Sequence, residues 1–186
     1  MHAIRVLEED HERIEALFVE LSRADAANKA RLFDRLEREL VIHTIAEDNV
    51  FLPQVEEALE DSRRTSAEFF ESEAEELREA NGLISASYED HRRIPDLLER
   101  ARELRFSETA FDELKEAVEA QIEREGALLP KARKVLEEED FERIGNLIEH
   151  CKGQVRGLTQ AKLASSASFE PARGRATVLR EEIRSG

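Results

Sequence analysis

Two short stretches of the chain carry the residues best suited to hold a metal ion. In HTIAEDNVFLP, which begins at His43, an imidazole is followed four positions later by Glu47; in QIEREGALLP, which begins at Gln121, an amide is followed at the same spacing by Glu125. On a helix, positions four apart lie one turn apart on the same face, so both members of each pair can reach a common ion. Asp10-His11 and Asp90-His91 lie 80 residues apart, and His43 over Gln121, Phe33 over Phe111 and Glu47 over Glu125 lie 78 apart. The two halves therefore form a degenerate repeat. Each offers Asp-His early in one helix, then a seam residue and a glutamate four positions on in the next, then a proline soon afterwards.

The chemistry follows from the cost of burial. An ionised carboxylate without a partner in a dry core is prohibitive, and would take up a proton instead. Two glutamates on apolar seams need an explanation, and a divalent or trivalent ion supplies one, with carboxylates bridging and imidazoles filling terminal positions. Nitrogen and oxygen ligands suit iron, manganese or zinc better than a soft metal. Of the five histidines, His11, His43 and His91 fall on inward faces, whereas His2 precedes the main stripe and His150 sits late in the chain. Asp10 and Asp90 are candidates to hydrogen-bond near their adjacent histidines, although neighbouring helical residues face different ways.

The elements that must position these groups are helical. Ile4, Leu7, His11, Ile14, Phe18 and Leu21 keep a spacing of three and four and predict a first helix. After a polar joint at Ser22 to Asn28, a second stripe runs through Phe33, Leu36, Leu40, His43, Glu47 and Val50 and should break or bend near Pro53. Asp61 to Ser66 reads as the next connection, with Thr65 and Glu68 spaced as a capping box for a helix from about Ser66. That third helix should bury Phe69 or Phe70, Leu77, Ile84, His91 and Leu98; Pro95 should loosen it, and Asn81-Gly82 could divide it. Ser107 can cap a fourth helix with a face of Phe111, Leu114, Val118, Gln121, Glu125 and Leu128, ending or bending near Pro130. A fifth segment carries Phe141, Ile144, Ile148, Cys151, Val155 and Leu158, and Ser165 to Gly174 reads as a flexible joint. If the helices pair antiparallel in an up-and-down bundle, the polar seam residues can converge at one height.

Composition bounds the alternatives. The 186 residues suit one domain with one core, and four prolines, seven glycines and no tryptophan leave little to build strands from. We expect an all-α fold, an up-and-down four-helix bundle with an additional C-terminal helix. Residues 1–160 should form the bundle with its fifth segment and residues 161–186 a flexible or short helical tail. The net charge of -15 repels a phosphate backbone and an anionic membrane surface, so neither nucleic acid nor membrane is an expected partner. No apolar run approaches the length needed to cross a bilayer. One cysteine, Cys151, and an N-terminus without a basic and apolar leader fit a cytoplasmic setting. The apolar face of residues 141–158 should cover the bundle or form a homodimer or protein contact.

Across residues 2–136 these motifs resemble the hemerythrin-like, or HHE cation-binding, family. Its domains are four-helix bundles with an early His on one helix, His-x-x-x-Glu on the next, a His on the third and His-x-x-x-Glu on the fourth. Those positions fall on His11, on His43 and Glu47, on His91, and on Gln121 and Glu125. The resemblance implies a non-haem di-iron centre with Glu47 and Glu125 bridging, His11 and His43 near one ion and His91 near the other. The family pattern puts histidine where this chain has Gln121, a weak amide-oxygen ligand. The second ion could use Gln121 weakly, bind water, or recruit Tyr88, one turn before His91. Ser87 also stands where oxygen-carrying hemerythrins have a further histidine on this helix.

The implied activity is binding or sensing of O2, peroxide or nitric oxide at an open coordination position. Two other uses are compatible with the same residues: a peroxide-decomposing or nitrosative-repair enzyme, and a metal-stabilised structural or signalling bundle whose metal centre is incomplete.

Overall fold

A computed structural model describes residues 1–65 and 71–165, and among these residues the chain is helical, with no strand. Helix α1 spans Ala3–Arg23 and α2 Ala26–Ala46, followed by one turn of π-helix at Glu47–Phe51 and by α3, Leu52–Thr65. Next in the described chain come α4, Glu71–Glu103, then α5, Glu108–Ala132, and α6, Glu138–Ser165. Helices α1 and α2 pack together, as do α4 and α5. Because each pair is joined by a few residues, each is a helical hairpin. Helix α6 lies against α1, α2 and the π turn, and α1 meets α5.

Several breaks expected from the sequence are not breaks. The joint at Ser22 to Asn28 shrinks to Ala24 and Asp25, because the Asp25 side chain accepts from the Asn28 N–H and caps α2 at once. Asn81 and Gly82 lie within an uninterrupted α4, where glycine costs only about 1 kcal/mol against alanine and tertiary packing outweighs it. Pro95 sits inside α4 without ending it, whereas α5 ends at Ala132, close after Pro130, as expected. Pro53 stands where the α-helical register breaks, as expected, although the chain stays helical. It follows a turn whose ladder has already shifted, the Leu52 N–H reaching back five residues to the Glu47 carbonyl, so the missing proline donor falls where the α-helical register is already relaxed. Asp61 to Thr65 are helical, and Arg64 ties back to Glu60 and Asp61. The expected capping box of Thr65 with Glu68, the inward Phe69 or Phe70, and the joint and tail after Ser165 lie outside the described residues. Helix α6 passes the boundary expected at residue 160.

Helix α4 closes with Arg105 and Phe106 both at positive φ, 51° and 60°. Their N–H groups return to the Arg102 and Ala101 carbonyls, satisfying the helix end, and the Phe106 ring packs 4.8 Å from that of Phe33. Ser107 stands at the N-cap of α5, but its side chain makes no cap bond; its backbone carbonyl accepts from the Phe111 N–H.

The apolar side chains gather into two clusters. One holds Ile4, Leu7, Ile42, Ile45, Phe51, Leu52, Ile84 and Leu128 together with Phe141, Ile144, Ile148, Cys151 and Val155 of α6. The face of α6 expected from the sequence is thus buried in the chain's own core. The other holds Ile14, Phe18, Leu21, Phe33, Leu36, Leu40, Ile94, Leu98, Leu114 and Val118. Along α1 the switch from one cluster to the other falls between Leu7 and Ile14, along α4 between Ile84 and Ile94, and along α5 between Val118 and Leu128. What fills the gap is polar. No described helix is long and apolar enough to cross a membrane.

Candidate metal centre

The layer between the two clusters is built from one or two residues of each packed element. Helix α1 supplies Asp10 and His11, α2 supplies His43, the π turn Glu47 and Asp48, α4 His91, and α5 Gln121 and Glu125. All are buried except His11, whose side chain retains 14% exposure. The same 3.6-residue period that buries leucines above and below carries His11, His43, Glu47, His91, Gln121 and Glu125 inward, since they occupy consecutive places on the apolar stripes.

The ligand atoms converge in two groups that share one carboxylate. His11, His43 and Glu125 form the first, and Glu47, His91 and Glu125 the second, with the ligand atoms of each group within 4.8 Å of one another. In the first, His11 Nε2 lies 2.7 Å and His43 Nε2 3.8 Å from Glu125 Oε2. In the second, His91 Nε2 lies 3.2 Å from Glu47 Oε2 and 3.8 Å from Glu125 Oε1. Glu47 also faces the first group, its Oε2 standing 3.5 Å from His43 Nε2. Either carboxylate therefore spans both groups.

The hydrogen bonding of this layer is incomplete in a specific way. Among the described residues, the buried side-chain atoms without a hydrogen-bond partner are Asp10 Oδ2, His11 Nε2, both ring nitrogens of His43, both oxygens of Glu47, Gln121 Oε1 and Glu125 Oε2. Every one belongs to this layer. Buried polar groups are otherwise almost always paired, and leaving one unpaired costs about 1–3 kcal/mol. The donor set, imidazole nitrogen and carboxylate oxygen converging from five elements, has the composition of a site for a hard or borderline cation. These His and Glu groups could hold a metal ion.

Electrostatics agree with that composition. Burial by itself pushes Glu47 up, and the Glu125 carboxylate nearby pushes it further, so it sits above the ordinary range. Burial would raise Glu125 as well, but the imidazoles of His11, His43 and His91 around it hold it well below. Two carboxylates in one dry layer thus separate in acidity. Burial opposes a charge on His43, yet Glu47, Asp10 and Glu125 overcome it and push its pKa up to about 10. In the metal-free protein an imidazolium supplies the positive charge that the layer requires.

The two aspartates that precede His11 and His91 differ in what they meet. Asp90 does not serve His91; its carboxylate accepts from Arg124 Nε at 2.7 Å. His91 Nδ1 instead donates to Asp48 Oδ1 at 2.5 Å, since a carboxylate can only accept. This fixes the ring and aims Nε2 at the two glutamates. Asp48 escaped sequence reasoning because it adjoins Glu47, and consecutive residues of an α-helix point about 100° apart. The wider π turn buries both. Asp10 lies against His43 rather than its neighbour His11, with Oδ2 3.5 Å from His43 Nδ1.

Gln121 occupies the inward position expected of it, and its amide is engaged. Nε2 donates to Glu125 Oε1 at 2.7 Å and lies 2.8 Å from His91 Nε2, leaving Oε1 unpartnered. The Tyr88 hydroxyl is directed elsewhere, 3.5 Å from Glu56 on α3, and the Ser87 hydroxyl donates to the Leu83 carbonyl. His2 pairs with Glu138 and stacks on Phe141, and His150 is exposed, so both lie apart from the layer.

The second residue that sequence reasoning missed is Lys152. It is buried, at 2% exposure, and its ammonium lies 2.8 Å from Asp10 Oδ1 and 2.6 Å from Glu149 Oε1. Its place was available in the pattern, four positions after Ile148 on the apolar face of α6. No family model, curated protein or solved structure matches this chain.

Proposed function

We propose that this chain is a hemerythrin-like protein, an up-and-down four-helix bundle with an additional helix, whose polar layer holds a pair of non-haem metal ions, with iron as the first choice and manganese or zinc as alternatives. The observation that carries the reading is the set of two ligand groups sharing Glu125, in a layer containing every unpartnered buried side-chain atom among the described residues. His11 and His43 would serve one ion and His91 the other, with Glu47 and Glu125 between them.

Iron held by such residues supplies reversible one-electron chemistry and an open position for a small ligand, which makes O2, peroxide or nitric oxide the partner of choice. The chain's own residues do the rest. Asp48 holds the His91 ring in place, the two apolar clusters exclude bulk water, and the partly exposed edge of His11 is where the layer comes nearest to solvent. Binding or sensing is favoured over turnover, because around the layer the side chains that could pass protons are themselves ligands or their orienting partners.

A second reading has its own support. The Gln121 amide is already bonded to Glu125 and faces His91, so one ion, held by His11, His43 and a glutamate, would satisfy most of the layer. In that case the bundle is a metal-stabilised structural or signalling unit.

Metal-to-chain stoichiometry after anaerobic iron loading, with the absorption spectrum followed as oxygen is admitted, separates these readings. Two tightly held irons and an oxygen-dependent visible band support the di-iron centre. One iron supports the second reading, and none in a folded chain refutes both.

A further inference from the structure

Helix α6 adds no ligand to the polar layer, yet it brings the layer's buried ammonium. Taking a lysine out of water is expensive, and an apolar side chain at the same place would bury at lower cost. The Lys152 ammonium is held between Asp10 and Glu149, and Asp10 is further paired with Arg13 at the protein's edge. Glu149 and Arg13 are both part exposed, whereas Asp10 and Lys152 are closed off from solvent. The charges that act on the interior without screening are therefore those of Lys152 and Asp10.

Asp10 is also the link to the candidate ligands. Its second oxygen stands 3.5 Å from His43 Nδ1, longer than an ordinary N–H···O bond, and neither atom has a hydrogen-bond partner. At this distance the carboxylate acts on His43 through its charge. With Lys152 in place much of that charge is offset.

We propose that Lys152 is a positioning residue that sets the electrostatic strength of the metal centre from α6: its fixed positive charge, acting through Asp10 on the His43 side, weakens cation binding and favours the ion of lower charge. The proposal rests on the metal-binding reading above. It makes the docking of α6 and the occupancy of the centre interdependent, since displacing α6 would withdraw the buried ammonium and leave only the part-exposed Arg13 to offset the Asp10 charge acting on a bound cation.

The test uses Zn2+, which has no redox chemistry, and compares wild type, Lys152→Met and Lys152→Arg by chelator competition, with far-UV circular dichroism of each metal-free protein. Removing this buried charge, which reaches His43 only through Asp10, should tighten the first equivalent by about tenfold or more in Lys152→Met. Lys152→Arg, which keeps the charge, should stay within about twofold of wild type. Lys152→Gln, which keeps a hydrogen-bond donor but not the charge, should follow the methionine variant, and it serves if methionine disturbs the fold. Unchanged or weaker binding in the uncharged variants overturns the role given to Lys152, as does an arginine variant that behaves like methionine. A folded wild type that takes up no Zn2+ overturns the metal reading itself, an outcome distinct from these.

Discussion

Without a bound ion, the protein should lose stability as the pH rises from about 6.5 to about 10, the interval between the ordinary pKa of His43 and the value to which its folded surroundings push it. Burial opposes the imidazolium, but Glu47, Asp10 and Glu125 outweigh burial. A histidine whose folded pKa lies above its unfolded one contributes stability fully below the unfolded value, and that contribution is lost as pH climbs through the folded value. A tenfold difference in proton affinity between the folded and unfolded chain is worth about 1.4 kcal/mol, so the interval sets a ceiling of about 5 kcal/mol, and a measured loss of about 2 kcal/mol or more is expected. Glu47 works in the same direction, because its raised pKa means that ionisation within the fold also costs stability as pH increases. The loaded protein should not share this loss. An ion needs His43 unprotonated, so protons compete with it less at high pH and the gap between loaded and metal-free stability should widen. Urea unfolding followed by far-UV circular dichroism, with and without Zn2+ at pH values across the interval, measures both curves, and His43→Gln should flatten the metal-free one. A metal-free curve that is level or rising, or a His43→Gln variant with the wild-type slope, refutes the reasoning.

Three further outcomes follow from single contacts. Gln121→His replaces an engaged amide with an imidazole beside His91 and Glu125, and should tighten the second equivalent of Zn2+ or iron by about tenfold or more, read by calorimetric titration; unchanged stoichiometry and affinity would count against a compromised second subsite. Asp48→Asn leaves the His91 ring without its carboxylate acceptor and should weaken binding at the second group by roughly 10–100-fold, with helical content preserved. Gly145→Ala would drive a Cβ into the Met1 carbonyl oxygen and place it 2.7 Å from the Ala3 nitrogen, so the start of α1 must move off α6. A loss of about 1–3 kcal/mol in urea unfolding is expected, with the metal affinity of the folded protein little changed.

Much of the helical framework could be read directly. The stripes of α1, α2 and α5 appear in the sequence because leucine, isoleucine and phenylalanine recur at three and four, and the fold buries Leu7, Leu36 and Leu114 as that period requires. Boundaries were less legible. The polar run at Ser22 to Asn28, the Asn81-Gly82 pair and Pro95 each carry a local preference against helix of about 1–3 kcal/mol at most. Packing along a long α4 and α5 exceeds that, and a local preference has no knowledge of it.

Helical periodicity is a property of one segment at a time, so it alone marks which residues ride the apolar seams. His11, His43, Glu47, His91, Gln121 and Glu125 could therefore be named before any helix was placed, and the structure gathers them into a single layer. Their orientation and the charge around them come from the packing of remote segments. Asp48 reaches His91 because a π turn widens the helix after Ala46, Asp90 is drawn to Arg124, and Lys152 arrives from a helix more than a hundred residues away from Asp10. Such pairings depend on the distance between segments that are remote in the chain, and charge acts across that distance without regard to sequence.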